Sequence, residues 1–420
     1  GVTPDWVPGV LLHRPIFALG EVFLADSTGE MGIDERLFAD ALDRAVAADV
    51  PVTVHAEDAS EFNVSAKERD DPDAWSAYRR ARAEVLAVER AVELATAHNA
   101  WIHVAHASTP RGIDIAAEAG MTTEVTPHHM LLSRNDLPDL GTHGRMNPPL
   151  RREKRRQRVY ERVADGTVDM IATDHAPHTR AEKDAGIWEA PSGVPGVETA
   201  LPLLLAEVTS GGLDFERVRD LTARNPARIF GLESKGTVEP GKDADLVLVD
   251  PSESRTIRGA DLHTKCDWTP FEGWTGVFPE WTMVRGEVVY ERAAGGESFG
   301  DPAGRNVRVP RPTAGAAPGD VPGEGAETAA DHVAEGESPE PRPDESSPQE
   351  GDVPGAGDQA EDPRATDPTA VEESAEADQD AADQAAEDQA ADDREAALTS
   401  DGKPAPECLT DLVDEPDDEH

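Results

Sequence analysis

An α/β chain built on a (β/α)8 barrel is the fold class this sequence predicts, and three observations lead to it. Short apolar runs of about six residues alternate with longer amphipathic stretches, as strands each followed by a helix would. The polar residues suited to chemistry, Glu21, His55, His106, His128 and Asp174, stand at or just past the ends of those runs. That is the face on which such barrels build their sites. No Gly-rich turn follows the first run, as a doubly wound sheet would require.

Taken in order, strands are expected over residues 18–25, 52–56, 101–107, 122–126 and 168–173. Helical periodicity fills 34–48, 73–98, 110–119 and 151–164, and returns over 197–208 and 214–230. From Gly236 the pattern changes to turn residues around a β run ending near Asp250, and 283–290 reads as a strand pair about Gly286. Three parts follow: a barrel portion over 1–230, a small C-terminal β subdomain over 231–300, and an acidic low-complexity tail over 301–420. Five strands do not close an eight-stranded barrel, so about three βα units are expected to be absent from the front, leaving strands four to eight. The first residue is Gly1, and no targeting segment is visible.

Composition separates the tail from the rest. Residues 311–420 hold 34 acidic and 5 basic residues and no Phe, Trp, Tyr, Ile or Met. Such a segment cannot bury enough apolar surface to offset chain entropy, so it is expected to be disordered. Residues 1–310 carry 51 acidic and 34 basic residues, enough chain for one large domain and a small one. The net charge of −46 argues against a nucleic-acid surface, because phosphate would be repelled. No run of ~18 apolar residues is present to span a membrane. Two cysteines, Cys266 and Cys408, do not make a disulfide scaffold and suit a reducing cytoplasm. Seven Lys against 32 Arg, under excess acid, reads as a protein adapted to high salt.

The chemistry begins with histidine and carboxylate at strand ends. Val52-Thr53-Val54-His55 and Val104-Ala105-His106 each close an apolar run in His, and Ile171-Ala172-Thr173-Asp174 closes one in Asp. One strand-end His is usually structural. Several such residues delivered to one barrel mouth suit zinc or a similar divalent ion.

Four motifs then resemble those of the dihydroorotases, cyclic-amide hydrolases of the amidohydrolase superfamily. They are Val54-His55-Ala56-Glu57-Asp58, Glu124-Val125-Thr126-Pro127-His128-His129, Arg145-Met146-Asn147-Pro148-Pro149-Leu150-Arg151 and Asp174-His175-Ala176-Pro177-His178. The resemblance covers about residues 15–295, in family order, and includes Lys265-Cys266-Asp267-Trp268-Thr269-Pro270-Phe271 of the small β unit. It implies a metal-dependent barrel hydrolase that interconverts dihydroorotate and N-carbamoyl-L-aspartate in pyrimidine synthesis. By the same resemblance, His55 and His106 match the ligands of the more buried of two divalent ions, most simply zinc. Asp174 matches a ligand of the other ion and the catalytic proton shuttle; Asn147, His178, Ser192 and Gly193 match substrate contacts. The partner implied is that small molecule, with no nucleic acid and no membrane; a homo-oligomer is compatible with the pattern.

The sequence departs from the family twice. Where many relatives bridge the metals with a carboxylated lysine, alignment places Glu21, with Asp26 as a rival. Both a carbamate and a carboxylate offer two anionic oxygens on a stem. The strand-one His-x-His pair, its Arg and the strand-three Asn are absent, so one metal site is expected to be incomplete and the chain a poor catalyst. Two further readings stay open: a hydantoinase or allantoinase of the same superfamily, and a catalytically impaired homologue serving as a partner subunit. His128 and His129 are expected to shape the mouth, the basic run from Arg151 to Arg156 to be a solvated face or partner contact, and Cys266 to be structural.

Overall fold

Parallel pairing of five strands in chain order organises the protein. The structure, a computed structural model, describes residues 16–27, 31–293, 296–302 and 304–307. These belong to the first of two compact units, Gly1–Thr313; the second, Ala314–His420, and with it nearly all of the expected tail, lies outside the described residues.

The strands are β1 (Leu19–Phe23), β2 (Val52–His55), β3 (Ile102–Val104), β4 (Thr122–Val125) and β5 (Met170–Ile171), hydrogen-bonded in that order. All four pairings are parallel, with Phe23 opposite His55, Val54 opposite Val104, and Val125 opposite Ile171. Parallel neighbours need a crossover, and helices supply it. They are α1 (Glu35–Ala48), α2 (Ala74–Tyr78), α3 (Ala81–Ala97), α4 (Pro110–Glu118), α5 (Pro127–Leu131) and α6 (Glu153–Asp165), with α7 (Ala200–Ser210) after β5. Asp34 caps α1 by accepting from the Leu37 amide, so the helix starts where the sequence changes from turn to apolar period. Phe38 and Leu42 of α1, Val88 and Ala91 of α3, Ile113 of α4 and Val159 and Val163 of α6 pack on Val52, Val54, Ile102 and Val104 in one core. Strands buried on both faces explain their unbroken apolar reading.

Two expected helices are broken, each for a visible reason. The stretch 73–98 parts at Arg79 and Arg80, where Arg79 leaves helical geometry and turns its guanidinium inward to Glu57. The stretch 214–230 becomes two short α-helices joined by a π turn, Asp220–Arg224, just ahead of Pro226. Proline has no amide to continue the regular ladder, and the wider turn absorbs the mismatch.

After α7 the chain forms β6 (Leu246–Leu248), the pair β7 (Arg255–Thr256) and β8 (Thr275–Gly276), then β9 (Trp281–Val284), β10 (Glu287–Ala293) and β11 (Gly296–Phe299). Strands β9 and β10 are antiparallel about Gly286, as expected, in a sheet of order β11-β10-β9-β6. A second core joins this region to the loops below the mouth: Trp268, Phe271 and Cys266 pack with Leu132, Met146, Leu150 and Leu203. Cys266 is buried, in keeping with a structural role. Among the described residues no helix is long and apolar enough to cross a membrane.

Candidate metal centre

Four strand ends assemble the centre. Pairing between β1 and β2 slips between Leu19 and Val22, which turns Glu21 out of the ladder. The slip needs glycine next door: Gly20 has φ +128°, and a Cβ there would lie 2.5 Å from the Thr53 carbonyl oxygen. His55 ends β2. His106 and Asp174 lie just past β3 and β5 in left-handed backbone, φ 35° and 44°, uncommon for residues with a Cβ. Strain of that kind persists where the surroundings enforce it, often at functional sites.

Glu21, His55 and His106 converge, with one donor atom of each within 4.8 Å of the others. His106 Nε2 lies 2.7 Å from Glu21 Oε1 and 3.1 Å from His55 Nδ1; His55 Nδ1 lies 3.5 Å from the same Glu21 oxygen. Donors around a tetrahedral zinc at ~2.0–2.1 Å stand ~3.3 Å apart. Two of the three separations are near that value, and the third is a hydrogen bond that a cation would replace. The residues therefore fit a divalent ion. The imidazoles are buried, while the Glu21 side chain is 27% exposed and leaves one side open.

The outer contacts leave one ring nitrogen of His55 free to act as a donor. Its Nε2 donates to Glu57 Oε2 at 2.9 Å, which leaves the Nδ1 lone pair facing Glu21 and His106. Glu57 is held in turn by Arg79, whose Nη2 and Nε donate to the same oxygen at 2.6 and 3.0 Å, while both terminal nitrogens also donate to the Asp26 carbonyl. Burial opposes ionisation of Glu57, but the Arg79 charge and the His55 bond keep it well below the usual carboxylate range. Glu57 and Arg79 were not singled out from sequence. The signal was present in part: Glu57 lies two residues past His55, on the same strand-end face.

Charge at the mouth is strongly coupled. Burial would lower His106, yet its hydrogen bond and attraction to Glu21 push it up to about 10. Burial likewise works against Glu21, and the two imidazoles hold it well below its ordinary value. Asp174 is pushed up, first by burial and then by repulsion from Glu21, with His106 and His55 pulling the other way. It stands outside the three-residue cluster but within its electrostatic reach. Asp26, the rival bridging residue, accepts from the Gly32 amide at 2.9 Å and takes no part in the cluster.

The expected substrate contacts form a second group. Asn147 Oδ1 accepts from Trp75 Nε1 at 3.0 Å, and Asn147 Nδ2 donates to Ser27 Oγ at 3.0 Å. His178 Nε2 donates to the Ser192 carbonyl at 3.1 Å. Ser192 Oγ accepts from Arg145 Nε at 3.2 Å. Gly193, at φ +125°, has no room for a Cβ, which would fall 2.5 Å from that of Ala176. His128 and His129 are buried outside the metal cluster; His129 Nε2 donates to the Pro148 carbonyl at 2.8 Å. Arg151 departs from the expected solvated face: it is buried and donates to Ser108 Oγ, Glu84 and the Arg79 carbonyl.

The chain matches the Amidohydrolase family over residues 29–289. It is 63% identical over 308 residues to a dihydroorotase of Halobacterium salinarum, covering 73% of this chain and 72% of that protein. A dihydroorotase of Methanosarcina acetivorans is 41% identical over 291 residues, 66% of this chain and 62% of the relative. This chain thus spans about two thirds of the length of the curated relatives it matches. Among solved structures, an L-hydantoinase (dihydropyrimidinase) from Arthrobacter aurescens is similar with TM-score 0.62 at 26% identity, covering 65% of this chain and 64% of that one. A dihydropyrimidinase from Brevibacillus agri gives TM-score 0.63 at 27% identity, over 68% and 67%.

Proposed function

The chain belongs to the amidohydrolase family, with curated relatives named dihydroorotase, and on that premise we propose that its site interconverts dihydroorotate and N-carbamoyl-L-aspartate. The observation that carries the reading is the convergence of Glu21, His55 and His106 at successive strand ends, with Asp174 beside them. Bound divalent ions, which we take to be two and to be zinc, would activate water and polarise the ring carbonyl.

The residues have distinct tasks. Glu21, His55 and His106 would hold one ion, with Glu57 fixing the His55 tautomer. Asp174 would serve the other ion, whose site is incomplete in this chain without a His-x-His pair. Asp174 also moves the proton to the departing ring nitrogen; burial pushes its pKa up, the direction a general acid needs. Asn147, His178, Ser192 and Gly193 orient the ring. The ligand is a small anion, the cytoplasm is the compartment proposed for the reaction, and self-association stays open; neither nucleic acid nor a membrane is part of the reading.

The hydantoinase reading has its own support in the solved structures that share the fold. Against it stand 63% identity to a dihydroorotase and Glu21, rather than a lysine, beside the two histidines. Supplying the metal-loaded protein with dihydroorotate, hydantoin and allantoin separately decides between them. We expect dihydroorotate to be preferred; preference for either of the others overturns the assignment.

A further inference from the structure

Lys183 is the one lysine of the described residues whose side chain has no solvent exposure at all. A lysine so buried needs a reason, because taking an ammonium out of water costs several kcal/mol unless its donors are satisfied. Its Nζ donates to three carbonyl oxygens: Arg145 at 2.8 Å, Pro191 at 2.8 Å and Gly193 at 3.1 Å. Three donors and three acceptors match the full capacity of an ammonium group. No carboxylate is among its partners, and the Trp268 ring lies 5.9 Å away. Burial and the nearby Arg145 charge draw Lys183 down to about 7.

Those acceptors come from two separate segments. Arg145 begins the segment that carries Asn147; Pro191 and Gly193 flank Ser192. Other bonds run across the same seam: the Gly193 amide donates to the Arg145 carbonyl at 3.0 Å, and Arg145 Nε donates to Ser192 Oγ at 3.2 Å. Thr142 Oγ1 donates to the Lys183 carbonyl at 2.5 Å, tying the lysine's own backbone to the first segment. The ammonium is thus the node where both segments meet.

We propose that Lys183 is a positioning residue for substrate binding, its buried ammonium holding the Asn147 segment and the Ser192-Gly193 segment at one fixed separation. This rests on the reading of Asn147, Ser192 and Gly193 as substrate contacts. A ligand that bridges both segments then finds its contacts in place and does not have to order them, which shows as affinity more than as chemical rate. The separation is also out of reach of a neutral isostere: a methionine there fills the volume but strands three carbonyls.

Two measurements on Lys183→Met, with zinc loaded, test this. Amide hydrogen exchange in the ligand-free protein should speed up by about tenfold or more in both 142–147 and 187–193, with the Ala81–Ala97 helix unchanged as a check on the fold. Calorimetric affinity for N-carbamoyl-L-aspartate should fall about tenfold or more, with metal content as in the wild type; where turnover is measurable, KM should rise while kcat stays within about threefold. Thr142→Val, a milder release of the same node, should move both readouts in the same direction by less, and serves if the methionine variant does not fold. Unchanged exchange in the two segments overturns the staple itself. Faster exchange with unchanged affinity, or no binding by the wild type, overturns the substrate-contact reading while leaving the staple intact. A fall in kcat with KM unchanged would assign Lys183 to the chemical step and overturn positioning.

Discussion

Glu57 decides which nitrogen of His55 is free to hold a cation, because it takes the proton on the other one. Replacing it with Gln removes the charge that faces both His55 and Arg79, even where the amide oxygen keeps their hydrogen bonds. Losing such an outer contact typically costs 10–100-fold in metal affinity, so Glu57→Gln should bind zinc about that much more weakly in a chelator competition; unchanged affinity would make Glu57 only a counter-ion for Arg79. Glu21→Gln should strip the metal outright, whereas Asp26→Asn should leave it, since the Asp26 carboxylate is engaged with Gly32. The reverse result would move the bridge to Asp26. Where turnover is measurable, Asp174→Asn should cost at least ~10²-fold in kcat, because an amide cannot carry the proton, while His178→Asn should mainly raise KM. Exchange of those two kinetic patterns would exchange the roles. The donors were legible in the sequence because strand ends mark one face of a barrel. Arg79 was not, since it sits 22 positions from Glu57 inside what reads as continuous helix, and only the break at Arg79 and Arg80 turns it inward.

At the scale of elements, periodicity located every strand of the parallel sheet, yet overstated their lengths. The run 168–173 bonds to β4 only from Asp169, whose amide donates to the Thr123 carbonyl, to Ala172, whose amide donates to the Val125 carbonyl; past Ala172 the chain turns to left-handed backbone at Asp174. A strand's apolar period cannot show where its backbone bonds stop. Helix α5 carries a different consequence. His129 is buried in it, between Thr126 Oγ1 and the Pro148 carbonyl. Burial draws it from 6.5 down to about 3, against the raising effect of the Pro148 bond. The unfolded chain therefore binds a proton that the folded one refuses, and stability present above about pH 6.5 is lost as pH falls toward 3. Each unit of that depression is worth ~1.4 kcal/mol. Thermal melts across this range should fall less steeply for His129→Gln, which cannot titrate, than for the wild type. Parallel curves would mean that other groups, the carboxylates or the buried His128 whose pKa burial also lowers, set the acid limit.

For the whole molecule, charge is the controlling quantity. Residues 1–310 hold 51 acidic against 34 basic residues, and many of the arginines already sit on carboxylates, Arg90 on Glu35 and Arg134 on Asp73 among them. The surplus of negative charge has no internal counterweight. In dilute buffer near 0.01 M the screening length is ~30 Å, so carboxylates repel one another across the domain; near 1 M it is ~3 Å and the repulsion is confined to neighbours. Salt also weakens the exposed ion pairs, but each of those is worth only ~0–1 kcal/mol. Buried pairs such as Arg79–Glu57 and Arg151–Glu84 are shielded from it. Relief of repulsion should win, and the melting temperature should rise from dilute buffer to molar KCl. A general strengthening of apolar burial by salt would give the same sign, so a charge test is needed to separate the causes. Asp40 and Glu89 are exposed helix carboxylates for which no ion pair is found among the described residues. Changing the two together to Asn and Gln should raise the melting temperature in dilute buffer and have little effect in molar KCl. An equal gain at both salt concentrations, or none at either, would show that self-repulsion does not limit this fold.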